Sequence, residues 1–473
     1  MQFRCRSYFP KGNWPPNRQA KMTALDHPVH GKVNDGPCML ESLEHHHRAL
    51  MSPKVPANLA TQLPMEDTAM PHPFLLQSRG TEHQLADRLT WTLTMQCIRS
   101  LKNNKSTGPD GMPNELLKHL PPEVLMMLHE YSKMCWAVSR VPEQWHNSYT
   151  LMIPKKLPAT YPANYRPIGL HCCMYKLYST IVTKVLQQYL EEISAMSASQ
   201  EGFRPHRNCG RQLRFLKRIL EDADLHRKNL FMLAVDFSSA FNTIDQARLY
   251  YVMERIGVPQ DAINVVKGIY THATTQISCS AGRTVPIPVH RGTIQGDVLS
   301  PLLFIIALEP LLRWLDIGGS GYRCGSTPAD DPLTAAAAAY ADDLAIFADD
   351  LEEMKTQVKK IEAYSEWMSM SLAPHKCYLT GILHHHAGAA RKGQRANAAA
   401  ETDEDVGKNE NRDAAPDGAP SEAGRKRKTR PLVQANDWSE LAPLLGEITV
   451  DGRPVALRRP GESICANHFV PKR

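Results

Sequence analysis

Three aspartates carry the chemistry that can be read in this sequence. Asp342 and Asp343 sit side by side in Ala339-Tyr340-Ala341-Asp342-Asp343-Leu344-Ala345-Ile346-Phe347, with apolar residues on both sides. That pattern predicts a β-hairpin with the two carboxylates at its tip. Carboxylates about 4 Å apart repel by roughly 4 kcal/mol at an effective dielectric near 20, so the pair is costly between buried strands. Taken alone it fits an ordinary solvated turn equally well, because Asp favours turns. Asp236 closes Phe231-Met232-Leu233-Ala234-Val235-Asp236, an apolar strand whose packing needs no charge. A half-buried carboxylate calls for a cation or for hydrogen-bond donors. Three together suit divalent metal ions bound through hard oxygen ligands. Two ions about 3.5–4 Å apart can activate an attacking hydroxyl and stabilise a leaving pyrophosphate in an in-line phosphoryl transfer. Roughly a hundred residues separate Asp236 from the hairpin, and closing that loop costs on the order of 4 kcal/mol. Spacing alone does not make the three meet.

Elements that could position these groups are legible on both sides of them. Leu89, Leu93 and Ile98 predict a helix, followed by the polar loop Lys102 to Gly111. Helices are expected at Asn114 to Leu120 and Pro122 to Val138, and a strand at Tyr149 to Pro154. A turn at Ala163 to Ile168 precedes an amphipathic helix with Leu177, Tyr178, Ile181, Val185 and Tyr189, and another helix spans Arg211 to Leu225. After the Asp236 strand, a helix with Leu249, Val252, Met253 and Ile256 closes at Gly257, and a second runs from Pro259 to Tyr270. Thr275 to Cys279 and Thr284 to Val289 read as a hairpin around Ala281-Gly282. Ser300-Pro301 reads as the cap and opening of an apolar helix, and a last helix covers Leu351 to Met370. Strands alternating with helices and hairpins place the core in the α/β or α+β class.

Composition sets the boundaries. Residues 1–85 are rich in Pro, His and Asn without a sustained period, which predicts a disordered leader, and His45-His46-His47 reads as loop composition, not a metal site. The ordered core is expected over residues 90–383. Residues 384–436 read as a low-complexity linker ending in the basic run Arg425-Lys426-Arg427-Lys428-Thr429-Arg430, a solvated stretch or a nuclear-import or RNA-contact segment. Residues 437–473 form a short fragment with a hairpin at Ile448 to Val455. A net charge of +6 is compatible with nucleic-acid binding without demanding it. Eleven cysteines without CxxC spacing indicate free thiols in a reducing compartment. The longest apolar run, Leu302 to Leu315, is broken by Glu309, Pro310 and Arg313 and is too short to span a membrane, and no signal-peptide pattern opens the chain.

With those residues assembled, the stretch from about 97 to 383 resembles the reverse transcriptases of non-LTR (LINE-type) retrotransposons. Lys105-Ser106-Thr107-Gly108-Pro109-Asp110-Gly111 resembles the family's opening motif. Ile153-Pro154-Lys155 and Asn164-Tyr165-Arg166-Pro167-Ile168 resemble its fingers motifs, and Gln200-Glu201-Gly202-Phe203-Arg204 also matches. Asp236-Phe237-Ser238-Ser239-Ala240-Phe241 is similar to the first palm motif, and Arg291 to Pro301 to the second. Tyr340-Ala341-Asp342-Asp343 is similar to the third, and Lys376 falls where the fourth has its lysine. A lone Ala-Asp-Asp is weak; the ordered set is specific.

The resemblance implies an α+β right-hand fold with palm and fingers, and RNA-directed DNA synthesis from a primer with dNTPs. It implies two Mg²⁺ ions, with Mn²⁺ as substitute, held by Asp236, Asp342, Asp343 and the Phe237 main-chain carbonyl. Phe241 takes the place of the bulky residue that excludes a ribose 2′-hydroxyl; otherwise it is a core phenylalanine. Gln295 and Gly296 resemble the pair beside the incoming nucleotide and template base. Lys155 and Arg166 resemble the residues that meet the triphosphate, and Lys376 the proton donor to pyrophosphate; as plain residues all three fit a solvated basic surface. An RNA template and a DNA primer are the implied partners, and a nuclear or shuttling ribonucleoprotein the implied location. Asn242 stands where the family usually has Asp, Ala373-Pro374-His375 replace an expected Asn before the lysine, and a linker follows residue 383 in place of a thumb. The rival readings are a non-catalytic RNA-binding relic, and an RNA-templated RNA polymerase, which Phe241 disfavours.

Overall fold

The computed structural model describes residues 22, 24–27, 30–53, 84–155, 157–325, 333–384 and 448–457. A short hairpin of β1 (Leu25–His27) and β2 (Gly31–Val33) leads into helix α1 (Gly36–Met51), which the Asp35 carboxylate opens by accepting the Cys38 N–H. Thr90 caps α2 (Trp91–Ser100) through the Leu93 N–H. Helices α3 (Asn114–Lys118) and α4 (Pro122–Ala137) follow, α4 with proline in its first turn, where no N–H partner is lost. Strands β3 (Asn147–Pro154) and β4 (Tyr165–Leu170) pair with Ile153 opposite Arg166. Next come α5 (Cys173–Glu192) and α6 (Cys209–His226).

Strand β5 (Leu230–Val235) is buried along its whole length. A strand with no polar face belongs inside a sheet covered on both sides. It is followed by β6 (Phe237–Ser238), α7 (Ala240–Thr243), α8 (Gln246–Arg255) and α9 (Gln260–Tyr270). Strands β7 (Thr274–Cys279), β8 (Gly282–Arg283) and β9 (Ile287–Pro288) precede α10 (Ser300–Asp316), which is apolar on almost every side and buried accordingly. Strands β10 (Tyr322–Arg323) and β11 (Thr334–Ala335) pair. The hairpin of β12 (Ala337–Tyr340) and β13 (Asp343–Ala348) is followed by α11 (Leu351–Trp367), β14 (Ser371–Leu372) and β15 (Tyr378–Ile382). Strands β16 (Thr449–Val450), β17 (Arg453–Pro454) and β18 (Ala456–Leu457) close the described chain.

The architecture is α+β. The central sheet runs in the order β12-β13-β5-β15-β18, antiparallel except that β18 joins β15 in parallel. One face sends Leu233, Val235, Leu344, Ile346 and Leu379 into the main core. The other packs Met232, Ala345, Phe347 and Ile382 against Leu216, Ile219 and Ala223 of α6. A second sheet orders its strands β4-β3-β7-β8, with β9 also on β7, and β3 and β7 are parallel.

Several expectations need correction. The leader is not wholly disordered: α1 packs against β1, β7, β9 and α7. Its buried face combines Met39, Leu43 and Met51 with Ser42 and His47, so its apolar period is diluted. His45-His46-His47 accordingly lie on a helix and not in a loop, and only His47 turns inward, its Nδ1–H donating to the Leu43 carbonyl at 2.9 Å. The turn expected through Ile168 ends earlier, because β4 already begins at Tyr165. Ser300 is not a cap; its hydroxyl donates to the Ile294 carbonyl. The fragment after Ile448 does form its hairpin, and it is no separate unit, since β18 extends the central sheet. The linker, with its basic run, lies outside the described residues apart from His384.

Burial pushes His47 down to about 4. Its contribution to stability is therefore full above the unfolded value near 6.5 and lost as pH falls through about 4. On the order of 2–3 kcal/mol should disappear over that window. Thermal melts of wild type and His47→Leu across pH 7.5 to 4 check this: the variant should lose less stability on acidification, and parallel curves would refute it.

Candidate active site

Strand register assembles the acidic group. Leu344 of β13 faces Val235 of β5, so one residue further along Asp343 comes opposite Asp236. On the other side of β5, β15 begins with Tyr378 opposite Ala234, and Lys376 lies just before it at the end of the short helical turn Pro374–Lys376. Residues directly opposed in antiparallel strands share a face, so Asp343 and Asp236 meet at the end of the sheet, and the Lys376 side chain reaches the same end from its turn. The Lys376 ammonium lies 2.9 Å from Asp236 Oδ1. The Asp236 backbone carbonyl accepts the Ala373 N–H at 2.9 Å, which ties this end of β5 to the segment before Lys376.

Burial, then the charges of Asp342 and Asp236, push the Asp343 carboxyl up to about 8. Burial and the two neighbouring carboxylates therefore disfavour the ionised form of Asp343. A divalent cation among their oxygens would offset that repulsion, and hard oxygen donors are the ligands such a cation takes. The residues fit a metal centre. Phe237, whose carbonyl was expected to add a ligand, is buried in β6, which pairs with Ser371–Leu372.

Two further cations approach this group from the second sheet. Desolvation, then the positive charges of Lys376 and Arg166, lower the Lys155 ammonium, while Asp236 pulls the other way. Lys155 Nζ donates to the Ala163 carbonyl at 2.9 Å, and Arg166 is exposed on β4 across from Ile153. The structure thus brings Lys155, Arg166 and Lys376 into one electrostatic neighbourhood with Asp236.

The turn itself is unusual. Tyr340 pairs with Asp343, which leaves Ala341 and Asp342 as a two-residue loop, and Ala341 sits at φ +60°. Such loops place left-handed backbone at the first position and prefer glycine there. A non-glycine residue in that region costs on the order of 1–3 kcal/mol. Gln200 holds it in place: its Oε1 accepts the Ala341 N–H at 2.9 Å and the Gly202 N–H at 2.8 Å, and its Nε2 donates to the Ala341 carbonyl at 3.3 Å. Backbone bonds run alongside, from the Ala339 N–H to Ser199 and from the Glu201 N–H to Ala339.

Phe241, Gln295 and Gly296 belong to a neighbouring group. The Thr293 N–H donates to the Phe241 carbonyl at 2.7 Å, and the Phe241 ring lies on Phe304 with centroids 4.8 Å apart. Gly292 packs so closely on the Asn242 backbone that a Cβ would come within 2.4 Å of it. The Gln295 carbonyl accepts the Gly169 N–H at 2.6 Å, which docks the Gln295-Gly296 turn on β4. Asp297 anchors that turn from beneath, accepting from the Tyr175 hydroxyl at 2.9 Å and the Ser179 hydroxyl at 3.0 Å of α5.

Comparison with known proteins bears on this arrangement directly. The profile of the family described as Reverse transcriptase (RNA-dependent DNA polymerase) matches residues 153–397, a span holding every site residue named above. The chain belongs to the reverse transcriptase family. Its relatives are non-LTR retrotransposon proteins. One is the Retrovirus-related Pol polyprotein from type-2 retrotransposable element R2DM of Drosophila melanogaster, 24% identical over 303 residues, covering 64% of this chain and 27% of that protein. A second, Probable RNA-directed DNA polymerase from transposon BS of the same fly, is 27% identical over 254 residues, 53% of this chain and 27% of the relative. A third, RNA-directed DNA polymerase from mobile element jockey, is 26% identical over 211 residues, 44% of this chain and 23% of the relative. The chain spans about a quarter of the length of these relatives. Reverse transcriptases generally use divalent metals, in keeping with the acidic cluster.

Two residues that the structure ties to this region, Gln200 and Asp297, have no role assigned from sequence. Gln200 matched a motif whose purpose its residue type does not reveal, and Asp297 follows Gln295-Gly296 without any pattern marking it as an anchor. A buried Gln or Asp inside a motif is the only local signal for either.

Neutralising one carboxylate should relieve the repulsion. Asp343→Asn should stabilise the metal-free protein by about 2–4 kcal/mol at pH 7. The raised carboxyl contributes fully below the unfolded value of 3.8 and loses that contribution as pH rises through about 8, so the gain should shrink below pH 4. The same variant should weaken the thermal shift that Mg²⁺ or Mn²⁺ gives the wild type. Melting indifferent to both metal and substitution would show that the tip and Asp236 do not act together.

Proposed function

We propose that this chain is the palm and fingers of an RNA-directed DNA polymerase of a retroelement, adding deoxynucleotides to a primer 3′-hydroxyl on an RNA template. The observation that carries this reading is the cluster at the end of the central sheet, where strand register sets Asp343 beside Asp236 and Lys376 pairs with Asp236, within the family's span. The central sheet is the palm, and the β3–β4 hairpin the fingers.

Asp236, Asp342, Asp343 and the Phe237 carbonyl would hold two Mg²⁺ ions, with Mn²⁺ as substitute. When bound, these supply activation of the primer hydroxyl and charge stabilisation at the transferred phosphoryl group. The chain's own residues do the rest. Lys155 and Arg166 draw the triphosphate to the end of β3 and β4, Arg166 through a forked contact and Lys155 as a point charge. Lys376 holds a proton at Nζ beside the leaving pyrophosphate. Phe241, braced on Phe304, closes the space a ribose 2′-hydroxyl would fill, and the Gln295-Gly296 turn lets backbone approach the nascent pair. The basic run and the unpaired cysteine pattern support an intracellular location, nuclear or shuttling with RNA. Among the described residues, no helix is long and apolar enough to cross a membrane.

Primer extension tests the reading. Purified protein with primed RNA, Mg²⁺ and dNTPs should extend the primer, and Asp342→Asn should lower the rate by roughly a hundredfold or more. No extension by the wild type, or equal extension by the variant, would sink it; retained RNA binding in that case would point to the non-catalytic relic. Phe241→Ala should raise use of NTPs relative to dNTPs by about tenfold, and unchanged sugar discrimination would remove Phe241 from the site.

A further inference from the structure

We propose that Gln200 is a positioning residue for the metal-holding hairpin, locking the Ala341 peptide so that Asp342 and Asp343 stay aimed at Asp236. The inference rests on reading those aspartates as metal ligands. It deepens that reading by naming what holds them.

Ala341 occupies left-handed backbone at φ +60° in a position where a two-residue turn favours glycine. Left to itself, an alanine there relaxes toward other turns, and each of them redirects the Asp342 side chain. The carboxamide of Gln200 is fully buried and grips both ends of that residue, the N–H through Oε1 and the carbonyl through Nε2. A side chain that donates to and accepts from one residue fixes orientation as well as distance.

The segment carrying Gln200 is itself immobilised from several directions. Glu309, buried in α10, accepts the Ser197 N–H on both oxygens at 2.8 and 2.9 Å. Arg204, also buried, donates to the Ser197 and Gln200 carbonyls and pairs with Glu191 at 2.7 Å. Glu201 pairs with Arg207 and Arg211, and Gln212 donates to the Ser199 and Ala339 carbonyls. Gly202 leaves room for the contact, since a Cβ there would lie 2.3 Å from the Ala341 nitrogen. Four buried ionic or amide groups thus converge on a loop that meets β12 through backbone bonds to Ala339 and grips the turn itself through Gln200. Simple packing needs none of these directional bonds.

Mn²⁺ binding, read by electron paramagnetic resonance of the full chain, tests the proposal together with the steady-state constants for dNTP. Gln200→Ala should weaken Mn²⁺ binding at least tenfold and lower kcat more than it changes KM. Adding Ala341→Gly should bring Mn²⁺ affinity back to within about threefold of wild type, because glycine accepts positive φ unaided. A structural defect elsewhere would not be repaired by that second change. If Gln200→Ala does not fold, the double variant alone decides: near-native Mn²⁺ affinity supports the clamp, and a tenfold loss overturns it. Wild-type affinity in a folded Gln200→Ala overturns the clamp while leaving the metal reading intact. A wild type that binds no Mn²⁺ overturns both.

Discussion

The end of an apolar sheet is a poor place to gather negative charge, and the central sheet gathers three carboxylates there. Everything around that end answers to the resulting repulsion. Strand β5 is buried on both faces, so Asp236 cannot swing away by local fraying. Lys376 is drawn onto Asp236 from the helical turn that precedes the neighbouring strand. Asp343, with burial and two like charges against it, keeps its proton near neutral pH. The arrangement is strained as a protein and sensible as a cation receptor, which is the usual trade at functional sites.

Much of this was legible. The Asp-Asp pair between apolar runs gave the hairpin, and the β5 strand announced itself by its unbroken apolar face. Neither reading contains a distance. The meeting of Asp343, Asp236 and Lys376 depends on which strands neighbour β5 and in what register, and residues far apart in the chain settle that. The ordered motifs supplied the missing link as resemblance, and the register supplies the physical reason for their order. The Gln200 contact was beyond reach, because a carboxamide serves equally well on a surface or in a clamp.

The misreadings have common causes. Helix α1 hides because its buried face includes Ser42 and His47, residues that a hydrophobicity pattern counts as solvent-facing. The β7 segment was read for its turn at Ala281-Gly282, which does form, while its parallel partner β3 was not visible, since parallel pairing leaves no turn signal. Asn242 in place of an acid also gains a simple account. It is buried with its backbone against Gly292, where a neutral side chain avoids the cost of burying a charge.

Strand β18 carries a consequence for how this chain is made. The sheet order puts it beside β15, yet roughly seventy residues of sequence lie between the two. At about 5–20 residues per second, a ribosome needs on the order of ten seconds to supply that last strand. The four antiparallel strands have time to assemble first, and β15 then waits with an open edge. An unpaired edge is a template for any passing strand, so for those seconds the nascent chain is exposed to pairing with its neighbours on the same message.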